Sequence, residues 1–138
     1  MVKKLRSAGA LFKAEDTGRV LFVLRSTQKS FPNKWEFPGG KIYSSEYLTD
    51  GLKREIVEEL GFFPEIVKYS PLNFFSSDDD NFKYVSVIIK TPREFIPSLN
   101  KEHTGYAWVN INRPPYPLHI RIKELLDADL IKESIKKF

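Results

Sequence analysis

Short apolar runs separated by polar turns fill the first forty residues of the chain. Residues 7–12 and 20–24 are rich in small and branched apolar side chains, and residues 15–18 between them have the composition of a turn. This pattern predicts a β-hairpin. A polar loop over residues 26–34 follows, and then a short extended segment, residues 35–40, that ends in a proline and two glycines.

The spacing of the apolar positions changes over residues 45–60, where they recur every four residues and predict a helix. These positions are Leu48, Leu52, Ile56 and Leu60. Ser44 or Ser45 is the expected N-cap, and Gly61 stands where a glycine would end the helix. Gly51 inside the helix costs about 1 kcal/mol relative to alanine, which close packing against a strand would explain.

The second half of the chain has three further strand-like runs and a helical tail. Residues 66–75, 84–89 and 106–109 are predicted strands, and the low charge of residues 84–89 indicates a central one. From about residue 120 the spacing becomes helical. Strands, a helix, more strands and a final helix predict an α/β or α+β fold, in one domain over residues 1–138.

Composition narrows the chemistry that this fold can carry. The 138 residues include no cysteine, which excludes a disulfide framework, a thiolate zinc site and a cysteine nucleophile. With two histidines in the chain, a metal site made of several histidines is not expected either. Any divalent metal would need oxygen ligands, which favours Mg²⁺, Mn²⁺ or Ca²⁺. The formal net charge of +4 is spread along the chain, which suits an anionic nucleotide better than a nucleic acid.

The same survey predicts a cytoplasmic protein. No apolar run approaches the roughly 18 residues that span a membrane. The basic N-terminus lacks a continuous apolar stretch, since charged residues interrupt it by position 13, and a signal peptide is not expected.

Three glutamates share one face of the predicted helix. Glu59 lies roughly 40° around the helix from Glu55, and Glu58 roughly 60° to the other side. Like charges at this spacing repel one another, so a cation that neutralises them is one explanation. The alternative is a solvated face on which Arg54 and Lys53 supply ordinary ion pairs.

The residues around these glutamates resemble the signature of the Nudix hydrolases, G-x5-E-x7-R-E-U-x-E-E-x-G-U with U a bulky apolar residue. The matching positions are Gly40, Glu46, Arg54, Glu55, Ile56, Glu58, Glu59, Gly61 and Phe62, of which Phe62 replaces the more usual aliphatic. A chance match of this extent is on the order of one in a billion per starting point. The preceding Trp-Glu-Phe-Pro-Gly-Gly-Lys, residues 35–41, is similar to the lead-in of MutT-type members.

The resemblance implies an α/β/α sandwich with a mixed sheet, in which the signature forms a loop, a helix and a loop. It implies hydrolysis of the pyrophosphate linkage in a nucleoside diphosphate joined to a group X, with Mg²⁺ or Mn²⁺. By matched position, Glu58 and Glu59 would be the main metal ligands and Glu55 a further ligand or base. The Gly39 carbonyl would be another ligand, and the signature's Arg54 and Glu46 would orient the carboxylates in a structural or catalytic role.

A further acidic residue is expected from a later loop, six residues before a tryptophan as in MutT-type proteins. Glu102 stands six residues before Trp108, so a role as metal ligand or general base is carried onto it. A solvated loop glutamate is the alternative. Of the two histidines, His103 is interpreted as a surface residue that has some chance of touching substrate, and His119 as a packing residue.

Four residues are candidates for substrate binding because of their positions in the predicted elements. Arg25 at the end of a strand and Lys41 after the two glycines could hold phosphate, and Phe75 and Tyr106 could stack on a base; each is equally consistent with an ordinary structural role. Asp78, Asp79 and Asp80 are interpreted as a solvated turn.

The resemblance favours a nucleoside or deoxynucleoside triphosphate as substrate, with the monophosphate and pyrophosphate as products. The residues that mark members acting on oxidised guanine, ADP-ribose or dinucleoside polyphosphates are absent from residues 76–77 and 114–118 or their surroundings. ADP-ribose, dinucleotides and RNA 5′ ends remain alternative substrates, and a non-catalytic nucleotide-binding module remains the alternative function. The resemblance also makes a homodimer possible. The presence of all three signature glutamates favours catalysis.

Overall fold

The computed structural model describes residues 4–138 as a mixed seven-stranded sheet between helices. The elements in chain order are β1 (Leu5–Ala14), β2 (Val20–Arg25), β3 (Trp35–Glu36), β4 (Gly39–Ile42), α1 (Leu48–Leu60), β5 (Lys68–Ser76), β6 (Phe82–Thr91), β7 (His103–Val109), α2 (Ile120–Asp127) and α3 (Asp129–Lys137). No helix within this part of the chain is long and apolar enough to cross a membrane.

The sheet forks at β1. The main order is β3-β2-β1-β6-β5, while β4 also pairs with β1 and β7 also pairs with β2. β1 and β6 are parallel and the other pairs are antiparallel. Strand β4 pairs with the first half of β1, residues 6–9, whereas β2 is in register with its last half at Lys13. The glycines of β4 therefore lie where the β4 branch and the β2 branch of the sheet separate from each other.

Alternate side chains of β1 enter two cores, one on each face of the sheet. Ala8, Ala10 and Phe12 pack against Leu52, Ile56 and Leu60 of α1. Leu11 packs on the other face, against Ile122, Leu125 and Leu126 of α2 and Ile135 of α3. The period-two alternation of a strand therefore assigns α1 and the C-terminal helices to opposite layers. The predicted α/β/α sandwich with a mixed sheet is confirmed.

Several predicted elements are confirmed with longer boundaries. The hairpin joins β1 and β2. The apolar run around residues 84–89 belongs to β6, which lies between β1 and β5 and is central. The close packing expected at Gly51 is also present, because a Cβ atom there would stand 2.8 Å from Ile42 Cδ1 of β4. Gly61 ends α1 with a positive φ of 85°.

One predicted detail is wrong, and two others are more divided than predicted. The helix begins at Leu48 and its N-cap is Tyr47, not a serine, because residues 43–46 form a turn in which the Glu46 amide donates to the Tyr43 carbonyl. The extended segment at residues 35–40 is two short strands, β3 and β4, paired with different partners. The helical tail is broken at Ala128, whose extended backbone (φ −82°, ψ 116°) lets α3 turn so that Ile135 reaches the core.

Candidate active site

Helix α1 carries two glutamates toward the two glycines of β4. The carboxylate of Glu59 is buried, with 1% of its side chain exposed, and it accepts a hydrogen bond from the Gly39 amide at 3.1 Å. A Cβ atom on Gly40 would lie 2.5 Å from a carboxylate oxygen of Glu55. The absence of a side chain at Gly40 is therefore what lets Glu55 of the helix approach the strand so closely, whereas a side chain at Gly39 would collide with the backbone of β1 at Ala8 and Gly9.

Glu102 joins these two glutamates from the loop before β7. One carboxylate oxygen from each of Glu55, Glu59 and Glu102 lies within 4.8 Å of the other two. The loop is held in place by backbone contacts, since the Ser26 amide donates to the Glu102 carbonyl at 2.9 Å and Asn100 Oδ1 accepts from the Glu102 amide at 2.9 Å. Residues far apart in sequence thus form one acidic cluster.

The electrostatics of the cluster fit a divalent cation. Burial raises the pKa of Glu59 well above its usual range, although the Gly39 amide opposes the shift, and the charges of Glu36, Glu102 and Glu55 raise it further. Burial also raises the pKa of Glu55, and Arg54 only partly compensates. Three oxygen donors crowded in a poorly solvated site match the ligand preference of Mg²⁺ and Mn²⁺. This carboxylate cluster is of the kind that holds a divalent metal.

Glu58 lies outside the cluster. Its carboxylate is about half exposed and lies 3.3 Å from Arg54 Nη1, the same nitrogen that lies 3.0 Å from Glu55 Oε1. Because both glutamates contact one nitrogen atom, the carboxylate of Glu58 lies close to that of Glu55 at the edge of the cluster. Its role as a metal ligand stays a prediction, and so does that of the Gly39 carbonyl.

Arg54 connects the signature residues to one another. Its Nε and Nη2 donate to the two carboxylate oxygens of Glu46 at 2.8 and 2.9 Å, and Nη2 also donates to the Lys41 carbonyl at 3.0 Å. Hydrogen bonds from Arg54 and from the Tyr43 amide lower the pKa of Glu46 to about 2. This arrangement ties the loop before α1 to the helix that carries the glutamates, and the orienting role of the pair stays a prediction.

A buried histidine stands between Glu59 and a second acidic side chain. His103 Nε2 lies 2.8 Å from Glu36 Oε2, and its Nδ1 lies 3.8 Å from Glu59 Oε1 without a hydrogen-bond partner. Arg25 Nη1 contacts the other oxygen of Glu36 at 2.9 Å. Burial would raise the pKa of Glu36, but the hydrogen bonds from His103 and Arg25 outweigh it and lower that pKa.

The sequence interpretation missed this pair. His103 is buried, not a surface residue, and Glu36 was not singled out. Strand β2 brings them together, because it pairs with β3 at Val23↔Glu36 and with β7 at Arg25↔His103, where a bulge shifts the register. The available signal was the Glu102-His103 adjacency and the glutamate inside the Trp-Glu-Phe-Pro segment.

A cleft of about 870 Å³ opens beside the cluster, on the face of the sheet that α2 covers. Its lining includes Gly39 and Gly40, which contact the buried carboxylates, and Lys29, which forms an ion pair with Glu102 at 3.6 Å. A volume of this size falls in the range typical of small-molecule sites. The cleft and the acidic cluster therefore share the β4 glycines as a common wall.

The predicted substrate-binding residues divide into two groups. Arg25 and Phe75 line the cleft, whereas Lys41 and Tyr106 are not part of its lining. Arg25 is engaged in holding the loop over residues 26–34, since its Nε donates to the Ser30 carbonyl at 2.8 Å. All four assignments stay predictions, and only Arg25 and Phe75 lie in the lining of the cleft.

The remaining candidates make structural contacts or line the cleft, and Asp78 of the aspartate turn belongs to the second kind. Asp79 accepts hydrogen bonds from Ser77 Oγ and the Asn81 amide, and Asp80 from Ser76 Oγ, so these two aspartates organise the β5–β6 turn. His119 Nδ1 accepts from the Arg121 amide at the start of α2, while its ring packs against Phe31 in the cleft lining.

The comparison with known proteins agrees with the fold. The model of the Nudix domain matches residues 3–128. The chain belongs to the Nudix family. Members of this family are hydrolases of pyrophosphate bonds, and this Nudix protein is an enzyme of that class.

Two of the relatives to which the Nudix chain is similar are named for activity on nucleotides. It is 33% identical over 108 residues to the nucleoside triphosphatase NudI of Escherichia fergusonii, a match that covers 68% of this chain and 74% of the relative. It is 43% identical over 42 residues to the 8-oxo-dGTP diphosphatase of Buchnera aphidicola subsp. Schizaphis graminum, which covers 30% of this chain and only 32% of that protein.

Solved structures confirm the Nudix fold along the chain. The MutT protein of Methanosarcina mazei superposes with a TM-score of 0.72 at 23% identity, covering 99% of this chain and 96% of that one. The MutT Nudix hydrolase of Burkholderia pseudomallei gives 0.70 at 23% identity, covering 92% and 98%.

Proposed function

We propose that this protein hydrolyses nucleoside or deoxynucleoside triphosphates to the monophosphate and pyrophosphate, with Mg²⁺ or Mn²⁺. The observation that carries the proposal is the meeting of Glu55, Glu59 and Glu102 at the glycine wall of the cleft. The relatives named as a nucleoside triphosphatase and an 8-oxo-dGTP diphosphatase support a nucleotide substrate.

The glutamates of α1 and Glu102 have different surroundings and therefore different proposed roles. Glu59, buried and held by the Gly39 amide, and Glu55, held by Arg54, are fixed and serve as metal ligands. Glu58 completes the set from the exposed side of α1. When bound, the cation polarises the phosphoryl oxygens and lowers the pKa of a water molecule.

The proton of the attacking water needs an acceptor near the cluster. Glu102 has the most exposed carboxylate of the three, with 40% of its side chain accessible against 12% for Glu55. A base must exchange its proton with solvent after each turnover, so we assign this role to Glu102, with Glu55 as the alternative. Lys29, paired with Glu102 and lining the cleft, is placed to attract the anionic substrate.

The proposal extends to the organisation, location and substrate range of the protein. Residues 1–138 are proposed to act as one Nudix domain in the cytoplasm, and a homodimer is compatible with the proposal. The lysines are scattered along the sequence and do not indicate a basic channel for a nucleic acid, so RNA 5′ ends are a weaker candidate than free nucleotides.

Product-resolved chromatography tests the proposal. The purified protein is incubated with the nucleoside and deoxynucleoside triphosphates, ADP-ribose, diadenosine polyphosphates and a triphosphate-ended RNA, with Mg²⁺, with Mn²⁺ and with a chelator. We expect monophosphate and pyrophosphate from a triphosphate in the presence of metal only. Release of orthophosphate and a nucleoside diphosphate, or cleavage of ADP-ribose alone, would contradict it.

A further inference from the structure

The wall of the cleft that α2 forms carries an arginine without an acidic partner. The guanidinium of Arg121 lies over the rings of Phe75 and Phe82, with its central carbon 4.3 and 4.6 Å from the two ring centroids. Within residues 4–138 it makes no ion pair and no side-chain hydrogen bond, in contrast to Arg25 and Arg54, which each hold a glutamate. Arg121 lines the cleft, and within the described residues its side-chain N–H donors have no hydrogen-bond partner.

The register of the sheet places this arginine at a useful distance from the acidic cluster. Phe75 pairs with Tyr84 of β6, Tyr84 with Ser7 of β1, and Ser7 with Lys41 of β4, the residue next to Gly40. Three strand spacings separate the two ends of this row, which is about 14 Å. That span is comparable with the length of a nucleotide from its phosphates to the far edge of its base.

Arg121 therefore lies where the base of a bound nucleotide would end if its phosphates reach the glycine wall. Stacking on two aromatic rings restricts the guanidinium and fixes the direction of its donors. Arginine has five N–H donors and no acceptor, so it can bond to an oxygen or a bare ring nitrogen but not to an amino group. Phe75, whose ring it covers, then supports the arginine and does not stack on the base.

We propose that Arg121 is a specificity-determining residue that selects nucleotides with a keto base over those with an amino base. Guanine presents O6 and uracil or thymine presents O4 as an acceptor, where adenine and cytosine present an amino donor. This inference rests on the proposed function, because it places the phosphates of a nucleotide at the acidic cluster.

Glu124 strengthens the selection. It follows Arg121 by three residues on α2, so both side chains lie on the same side of the helix, and both line the cleft. Keto bases carry a ring N–H beside the exocyclic oxygen, which a carboxylate accepts. Amino bases carry a bare ring nitrogen there, which a carboxylate repels.

Binding of nucleoside monophosphates without metal isolates base recognition from catalysis. Titration calorimetry with GMP, UMP, AMP and CMP is run on the wild type, Arg121→Gln, Arg121→Lys and the control Lys123→Gln. Lys123 is exposed on the same helix and pairs with Asp127, away from the cleft, so its replacement removes one charge but no proposed contact. Specificity constants for GTP, UTP, ATP and CTP are measured in parallel with metal.

We expect the wild type and Lys123→Gln to prefer GMP and UMP by about tenfold, the scale of one good bidentate base contact. Glutamine can donate and accept, so Arg121→Gln should reduce the preference to within about twofold, and Arg121→Lys should retain part of it. A wild type that binds AMP or CMP as well as GMP and UMP, or a preference that survives in Arg121→Gln, overturns the inference. Keto-selective binding without hydrolysis of any triphosphate would leave it standing and count against the proposed function alone.

Discussion

At the scale of single residues, the site is defined by how differently its glutamates are solvated. Glu59 is enclosed and Glu58, its neighbour in sequence, is half exposed, although the helix presents both near the same region. Helical spacing alone groups them together, and only the position of β4 separates them. The signature therefore predicted which residue types gather here, but not which of them the fold encloses, because enclosure depends on strands that pair far along the chain.

Replacing Glu58 tests whether the exposed glutamate joins the metal site during catalysis. Glu58→Gln removes one ligand charge without a change in volume, and loss of several kcal/mol of charge stabilisation corresponds to a decrease in kcat of about a thousandfold or more. The melting temperature should stay near that of the wild type, since the side chain is half exposed. An unchanged kcat at saturating Mg²⁺ would show that Glu58 is not a metal ligand and that its role is limited to the contact with Arg54.

The raised pKa of Glu59 predicts a pH-dependent stability of the metal-free protein. The folded state binds the proton of this carboxyl more tightly than the unfolded state does, so the contribution of Glu59 to stability falls as the pH rises through and above its ordinary value of 4.5. Glu59→Gln should therefore unfold at higher urea than the wild type near neutral pH, with the difference vanishing in acid. Equal midpoints for the two proteins at pH 7 would argue against a buried, unfavourable carboxylate.

At the scale of elements, the approach of α1 to β4 is what brings the carboxylates to the cleft. The four-residue spacing of leucine and isoleucine predicted the helix and its buried side, and the glycine after it predicted its end. Its start was not predictable from the two serines, because a turn organised by Glu46, a residue that also binds Arg54, occupies that segment. The β2 bulge that aligns His103 likewise has no local signal.

Gly51→Ala tests the close packing that holds this helix. Alanine is the better helix former by about 1 kcal/mol, but its Cβ would stand 2.8 and 2.9 Å from the buried side chain of Ile42 and 3.1 Å from Glu46 Oε1. Overpacking of this kind costs about 1–3 kcal/mol, so we expect net destabilisation and reduced turnover. Val57→Ala on the exposed side of α1 is the control in urea denaturation. A Gly51→Ala variant more stable than the wild type would show that Ile42 of β4 can move aside at little cost.

At the scale of the whole molecule, a chain with a formal charge of +4 concentrates four glutamates at one point of its sheet. Glu55 and Glu59 of α1 and Glu102 from the loop before β7 meet beside β4, and Glu36 of β3 lies behind His103 close enough for its charge to act on Glu59. An anionic substrate would be repelled by this cluster alone. The arrangement works for pyrophosphate chemistry only if a cation offsets the charge, which is the central claim of the account.

Mn²⁺ binding followed by electron paramagnetic resonance tests that claim most directly. The affinity of the wild type is compared with that of Glu59→Gln, Glu102→Gln and the control Glu94→Gln, whose carboxylate pairs with Arg19 outside the cluster. We predict that the first two variants lose at least about 10–100-fold in affinity, the scale seen even for groups that only orient a metal ligand, and that the control binds like the wild type. Equal Mn²⁺ affinity in all four proteins would contradict a metal site at Glu55, Glu59 and Glu102.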